Sequence, residues 1–254
     1  EKKMNLEQAQ SLSLKIRESA QKVNAHFPVY EVSDFLPLDI FETVKSHFPN
    51  KEDRLWETSK IGEVESKRRT TWSSIFDVPV ELRNLVLYMN SSLFLKELSH
   101  YLEIPKLLSD PYFSGGGLNE NFNGDYLDIH VDGNYHDASG LNRRANAILY
   151  LSDTWDSAWG GNFQIYSETG EQIISEVVPT PNKLIFFETS DVSYHGLPDP
   201  ITCPKNISRR SLILYYYTKE SHSSSKVKES KPHSALWKKH GFTDKNHNKT
   251  RDYT

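Results

Sequence analysis

Two hydrophobic rhythms divide the chain. Ala9, Leu12, Ile16, Ala20 and Val23 recur at spacings of three and four, which makes one apolar stripe and predicts a helix. Val29 to Phe35 reads as a strand. Pro37 suits the first turn of a second helix that buries Ile40, Phe41, Val44 and Phe48. Pro79 stands in the same relation to Leu82, Leu85, Val86 and Met89, and Ser92 is placed to cap a helix carrying Phe94, Leu98 and Tyr101 on its buried side. Residues 5–110 are therefore expected to be mainly helical support.

From about residue 112 the pattern changes to short β-rich runs separated by Gly, Asn, Pro and Asp. The expected strands are 118–132, 145–151, 162–166, 172–178, 183–188 and 209–218. Such a density predicts a mainly β fold with α additions: a double-stranded β-helix, the cupin-like jelly-roll, over 112–218 and buttressed by the N-terminal helices. The remainder, 219–254, is a polar extension with nine basic and four acidic residues. That composition suits disorder. Ala235, Leu236, Trp237 and Phe242 nevertheless give it something to bury, so docking is expected.

A chain of 254 residues with 37% hydrophobic and 25% charged positions can bury a substantial core, which fits one domain over 1–254. The net charge of −4 argues against nucleic acid or anionic membrane as a partner. A single cysteine, Cys203, excludes an intrachain disulfide and suits a reducing compartment. No apolar run approaches the roughly 18–20 residues of a membrane span, and no secretory leader is read at the start. A cytoplasmic location is the expectation, with the oligomeric state unknown.

The β-rich half carries the candidate chemistry. In 126–132, Leu127, Ile129 and Val131 alternate with Tyr126, Asp128, His130 and Asp132. Alternate strand residues point to opposite faces, so an apolar face is expected to pack on helices while His130 and Asp132 project together from the other. A bare H-x-D is weak evidence; a second histidine, His195, follows another apolar run at Phe186 and Phe187. Two histidines and one carboxylate are the ligand set of a facial triad that holds non-haem Fe(II) and leaves three positions open. Further on, Arg209 shares a strand face with Ser211, Ile213 and Tyr215. A guanidinium inside a barrel needs an anionic partner, and a carboxylate suits its planar fork. Alternation with Ser211 favours Arg209 over Arg210 as the inward residue.

Residues 126–217 resemble the core of the Fe(II)/2-oxoglutarate-dependent oxygenases, in the branch of the prolyl 4-hydroxylase catalytic domain. Arg143–Ser152, the Gly-Gly strand Trp159–Tyr166 and Asn182–Phe187 are similar to family strands. The longer segment Gly196–Ser208, with Pro198, Pro200 and Pro204, departs from the pattern. The resemblance implies Fe(II) on His130, Asp132 and His195, and 2-oxoglutarate held by Arg209 and Tyr150, with Ser211 and Asn146 beside it. It also implies O2 as co-substrate, ascorbate as reductant and no catalytic side chain beyond the iron ligands. Asp132 argues against the related halogenases, in which halide replaces this carboxylate.

Substrate contacts are expected in the loop that leaves the metal strand. The candidates are Asn134, Tyr135, His136 and Arg144, with Trp159 as a wall. Arg144 shares strand parity with Asn146 and Tyr150, and otherwise pairs with a surface acid. His136 is a substrate contact or a surface residue, and Trp155 and Trp159 either wall the pocket or pack. The histidines of the extension, His222, His233, His240 and His247, are expected to be solvated. The function expected is hydroxylation of an unactivated C–H in a small polar metabolite or biosynthetic intermediate, with succinate and CO2 as co-products. One alternative is a prolyl 4-hydroxylase acting on peptidyl or free proline. The non-enzyme alternative is a jelly-roll metal- or ligand-binding module, against which the open iron face counts.

Overall fold

The computed structural model describes residues 4–50, 55–61, 64–223, 226 and 231–238. Helix α1, Leu6–Ser19, starts at a capping box in which Asn5 and Gln8 each accept the other's backbone N–H. It stops short of Val23, because the chain turns extended at Ala20 and runs into β1, Gln21–Lys22. Strand β2 covers only Val29–Val32. Helices α2, Leu38–Ser46, and α3, Val80–Met89, each begin directly after the expected proline. Helix α4 spans Ser92–Leu102 with Ser91, not Ser92, at its N-cap.

The helical reading of 5–110 needs one correction. Strands β3, Trp56–Ile61, and β4, Glu65–Thr70, form an antiparallel hairpin within it. Both strands are polar, so no apolar period marks them in the sequence, and β4 buries its side chains through ion pairing. Arg68 holds Glu120 through Nε at 2.6 Å and through Nη2, while Arg210 Nε reaches the same carboxylate at 3.1 Å. Glu120 is 1% exposed. Removing a buried carboxylate from such a network leaves uncompensated charge, so Glu120→Ala is expected to lower stability by about 3–5 kcal/mol in urea denaturation. A change under about 1 kcal/mol would mean the network is solvated.

The remaining strands are β5 Leu108–Ser109, β6 Gly117–Asn121, β7 Tyr126–Val131, β8 Asn142–Tyr150, β9 Phe163–Tyr166, β10 Ile173–Val177, β11 Leu184–Glu188, β12 His195–Leu197, β13 Arg209–Thr218 and β14 Leu236–Lys238. The single run expected over 118–132 is broken between β6 and β7, where Asp125 accepts the Phe122 N–H at 2.7 Å and closes a turn. Strand order is β1-β2-β11-β8-β13-β6, then β4, then β7-β12-β9-β10, with every pairing antiparallel. Two four-stranded sheets, β6-β13-β8-β11 and β7-β12-β9-β10, are thus joined through β4 into a jelly-roll.

Ile148, Tyr150, Ile185 and Phe187 of the first sheet meet Phe163, Ile165 and Val177 of the second in one interior cluster. The outer face of the first sheet, including Ala147, Leu149, Phe186, Leu212 and Tyr216, packs on α1, α3 and α4 through Leu12, Ile16, Leu82, Leu85, Phe94 and Leu98. The apolar face of β7 does not reach those helices, because β7 lies in the other sheet. Ile129 and Val131 instead pack on Tyr166, Tyr194 and Leu236. The expected docking of the extension is realised at Ala235–Trp237, which lead into or lie in β14; Phe242, His240 and His247 fall outside the described residues.

Candidate metal and co-substrate site

Antiparallel pairing of β12 with β7 sets His195 opposite His130, and the period-2 strand carries Asp132 to the same face. The ligand atoms of His130, Asp132 and His195 lie within 4.8 Å of one another, all buried. His130 Nε2 is 3.5 Å and His195 Nε2 3.8 Å from Asp132 Oδ1. Each imidazole has its Nδ1 on a backbone carbonyl two residues earlier, Asp128 at 2.8 Å and Ser193 at 2.9 Å. That contact fixes Nδ1–H as donor and leaves the Nε2 lone pair facing the cluster, as metal ligation requires. Burial, and then neighbouring His130, lowers the His195 pKa to about 4, so it is neutral at pH 7. Burial opposes the charge of Asp132, yet His195, His130 and Arg143 together hold it well below the usual carboxylate range.

At the other end of the cavity Arg209 is 4% exposed. Its Nε donates to Gly161 O at 2.8 Å, and Nη2 and Nη1 lie at 3.3 and 3.5 Å from Tyr150 Oη and Asn121 Oδ1. Gly161 permits this approach. With φ at +68°, a Cβ there would sit 3.2 Å from Arg209 Cδ and 3.1 Å from Trp155. Among the described residues no carboxylate pairs with Arg209, and burial lowers its pKa. Ser211 Oγ and Asn146 Oδ1 are likewise buried without a partner. A buried cation and the orphaned Asn146 Oδ1 on one cavity fit an anionic ligand better than a finished core, whereas Ser211 does not line that cavity. Arg210 points away, to Glu120 and Asp153.

The cavity, about 480 Å³, takes in some of the sequence candidates and leaves others out. Tyr135 and Asn146 line it, and Asn146 Nδ2 donates to Asp132 Oδ2 at 3.2 Å. Arg144 does not; Nη1 is spent on Thr218 Oγ1 and Glu220 O. The parity argument fails because the register between β8 and β13 shifts at Tyr216 and Tyr217, inserting one residue of β8. A bulge of one residue exchanges the faces. Arg143 consequently enters the cavity, with its guanidinium 4.0 Å from the Tyr215 ring centroid and bonded to Tyr217 Oη and Ser114 O.

His136 is neither surface nor cavity wall. It is 3% exposed, with Nε2 2.9 Å from Asp110 Oδ1 and Nδ1 accepting from Ser139. Asn134 binds the extension, donating to Lys231 O and accepting from His233 N. Trp159 packs edge-on to Trp155 beside Ile201 and Cys203. His233 is 5% exposed and 2.9 Å from Asp191, against the expectation of a solvated ring. Sequence reasoning also missed Glu65, Lys67 and Arg69 of β4, which line the cavity together with Trp237 of β14, a residue the sequence offered only as a second choice for the pocket. The charged alternation at 65, 67 and 69 was the available signal.

Residues 117–236 match the family model of the 2OG-Fe(II) oxygenase superfamily, which spans β6 to the first residue of β14 and holds all three clustered ligands and Arg209. Residues 117–236, a little under half of the chain, are thus a 2OG-Fe(II) oxygenase region. A stretch of 87 residues is 37% identical to mouse prolyl 3-hydroxylase OGFOD1, covering 32% of this chain and 15% of the mouse protein's length. The fold is that of a Pseudomonas putida prolyl-4-hydroxylase: TM-score 0.57, 14% identity, 82% of this chain and 98% of the other. A Trichoplax adhaerens prolyl hydroxylase, solved with a hypoxia inducible factor peptide fragment, gives 0.58, 13%, 84% and 91%. The superfamily's cofactors, Fe(II) and 2-oxoglutarate, fit the residues present: two imidazoles and a carboxylate for the metal, and for the co-substrate Arg209, which pairs with no carboxylate among the described residues.

Proposed function

We propose that this chain is a 2-oxoglutarate-dependent hydroxylase whose target is a prolyl residue within a polypeptide. The observation that carries this reading is the 37% identity to a prolyl 3-hydroxylase, and it displaces the small metabolite expected from the polar loop. Fe(II) with 2-oxoglutarate and dioxygen supplies the oxidising power, converting C–H to C–OH with release of succinate and CO2.

The side chains of this chain position the reactants. His130, Asp132 and His195 hold the metal, with Asn146 orienting the carboxylate of Asp132. Arg209, backed by Tyr150, receives the carboxylate of 2-oxoglutarate remote from the metal. Ile148, Ile213 and Phe163 line the cavity and exclude water from the reacting centre. Arg143 keeps its charge, since Tyr217, Tyr215 and Asp132 outweigh burial, and its Nη1 makes no hydrogen bond among the described residues. It is placed to donate to a peptide carbonyl next to the target ring.

Arg143→Ala is expected to raise KM for peptide about tenfold or more, the equivalent of one charged hydrogen bond, and to leave 2-oxoglutarate affinity within about twofold. An unchanged peptide KM would remove Arg143 from substrate binding. The reading as a whole is tested by offering Fe(II), 2-oxoglutarate and ascorbate with proline-containing peptides, free proline or small polar metabolites. Addition of one oxygen to peptidyl proline by mass spectrometry is the expected outcome, and NMR assigns C3 or C4. Turnover of metabolites without peptide turnover sinks it.

A further inference from the structure

The edge of β7 that bears the metal ligands is completed by a segment outside the jelly-roll. One edge pairs with β12. On the other, β4 reaches only Tyr126 and Leu127, and β14 takes over at Ile129–Val131. Trp237 stands directly opposite His130, so the two side chains share a face. Their ring centroids are 4.6 Å apart with planes 32° from parallel. Trp237 is 5% exposed and lines the cavity.

The segment is built onto the metal loop. Asn134 N–H donates to His233 O at 3.1 Å, and Asn134 Oδ1 accepts from His233 N at 2.8 Å. A Cβ on Gly133, the residue after Asp132, would lie 3.0 Å from His233 O and 3.2 Å from Ser234 Cα. Only glycine allows that approach without displacement.

We infer that Trp237 is a positioning residue for the metal: by covering the face of His130 it fixes the imidazole plane, and β14 thereby completes the site. The inference rests on the metal reading of His130. Nδ1 of His130 is tethered to Asp128 O, which leaves rotation and tilt about that tether to be restrained by what packs on the ring. His195 has Phe163 and Phe187 for this, both from the jelly-roll; among the described residues the aromatic neighbours of His130 are His195 and Trp237. The apolar shell also governs how much water reaches the metal.

The test is a Co(II) titration of the metal-free full chain, followed by visible absorption. Trp237→Leu, which keeps apolar bulk and loses the flat face, is expected to weaken Co(II) binding about tenfold, the lower end for groups that orient a ligand. Trp237→Phe is expected to stay within about twofold. Leu236→Ala, on the opposite face of β14, is expected to lower the melting temperature without changing Co(II) affinity. Equal affinity in folded Trp237→Leu and wild type, or equal weakening by Leu236→Ala, overturns the inference. A measurement without substitution stands beside it, because coupling is reciprocal. Co(II) is expected to slow amide exchange at Leu236–Lys238 about tenfold in the wild type, and unchanged exchange there also overturns it. If His130→Ala binds Co(II) like the wild type, the metal reading itself fails, which is a different outcome.

Discussion

His130→Ala and His195→Ala each reduce Fe(II) affinity by at least about a hundredfold and bring 2-oxoglutarate turnover to background. The size follows from the donor set. The cluster offers three ligand atoms, and removing one imidazole leaves a single nitrogen and a single carboxylate oxygen, whereas residues that merely orient ligands are already worth about 10–100-fold. The two variants differ in what else they disturb. His195 packs between Phe163 and Phe187 in the jelly-roll interior, so its removal leaves a cavity among fixed neighbours. His130 lies under Trp237, and the chain leading into that strand is anchored separately, through His233 to Asn134 and Asp191. Isothermal titration with Fe(II) or Co(II), beside circular dichroism of the metal-free chain, separates lost ligation from lost fold. Stoichiometric binding with wild-type affinity in either folded variant would remove that residue from the ligand set.

These ligands could be read from the sequence because their chemistry is tied to a local period. His130 lies on β7 and Asp132 one residue past its end, with apolar Val131 between them, and continued alternation puts both on one face. Arg209 was legible in the same way through Ser211. Arg144 shows the limit of that logic. A single inserted residue between Arg143 and Ala145 reverses the alternation, and nothing in Arg143-Arg144-Ala145 marks where the bulge falls, since the register is set by pairing with Tyr216 and Tyr217 far along the chain. Strand β4 was illegible for another reason: it gains its burial from Glu120, an ion pair across 52 positions, and so lacks an apolar signature. For Trp237 the apolar content was visible but the partner strand was not, because pairing of β14 with β7 is a long-range choice.

Arg209→Ala is expected to raise the 2-oxoglutarate concentration needed for half-maximal succinate formation by about tenfold to a hundredfold while leaving metal affinity near wild type. Arg209 is buried, unpaired with any carboxylate among the described residues, and held at long range by Tyr150 and Asn121. Its charge is therefore available to an incoming carboxylate. A charge-assisted hydrogen bond contributes about 1.5–3 kcal/mol, and a factor of ten in affinity is about 1.4 kcal/mol, so one such bond gives the lower bound and a two-bond fork the upper. Arg209→Lys retains the cation but not the planar fork, and is expected to fall between wild type and alanine. Arg210→Ala supplies the contrast: it loosens the Glu120 network and lowers stability, yet its side chain faces away from the cavity and the 2-oxoglutarate requirement stays within about twofold. A titration of succinate formation that ranks Arg210→Ala above Arg209→Ala would reverse the assignment. Equal, small effects from both would move the co-substrate anchor to Arg143, the half-buried guanidinium on this cavity that has no carboxylate within ion-pair distance among the described residues.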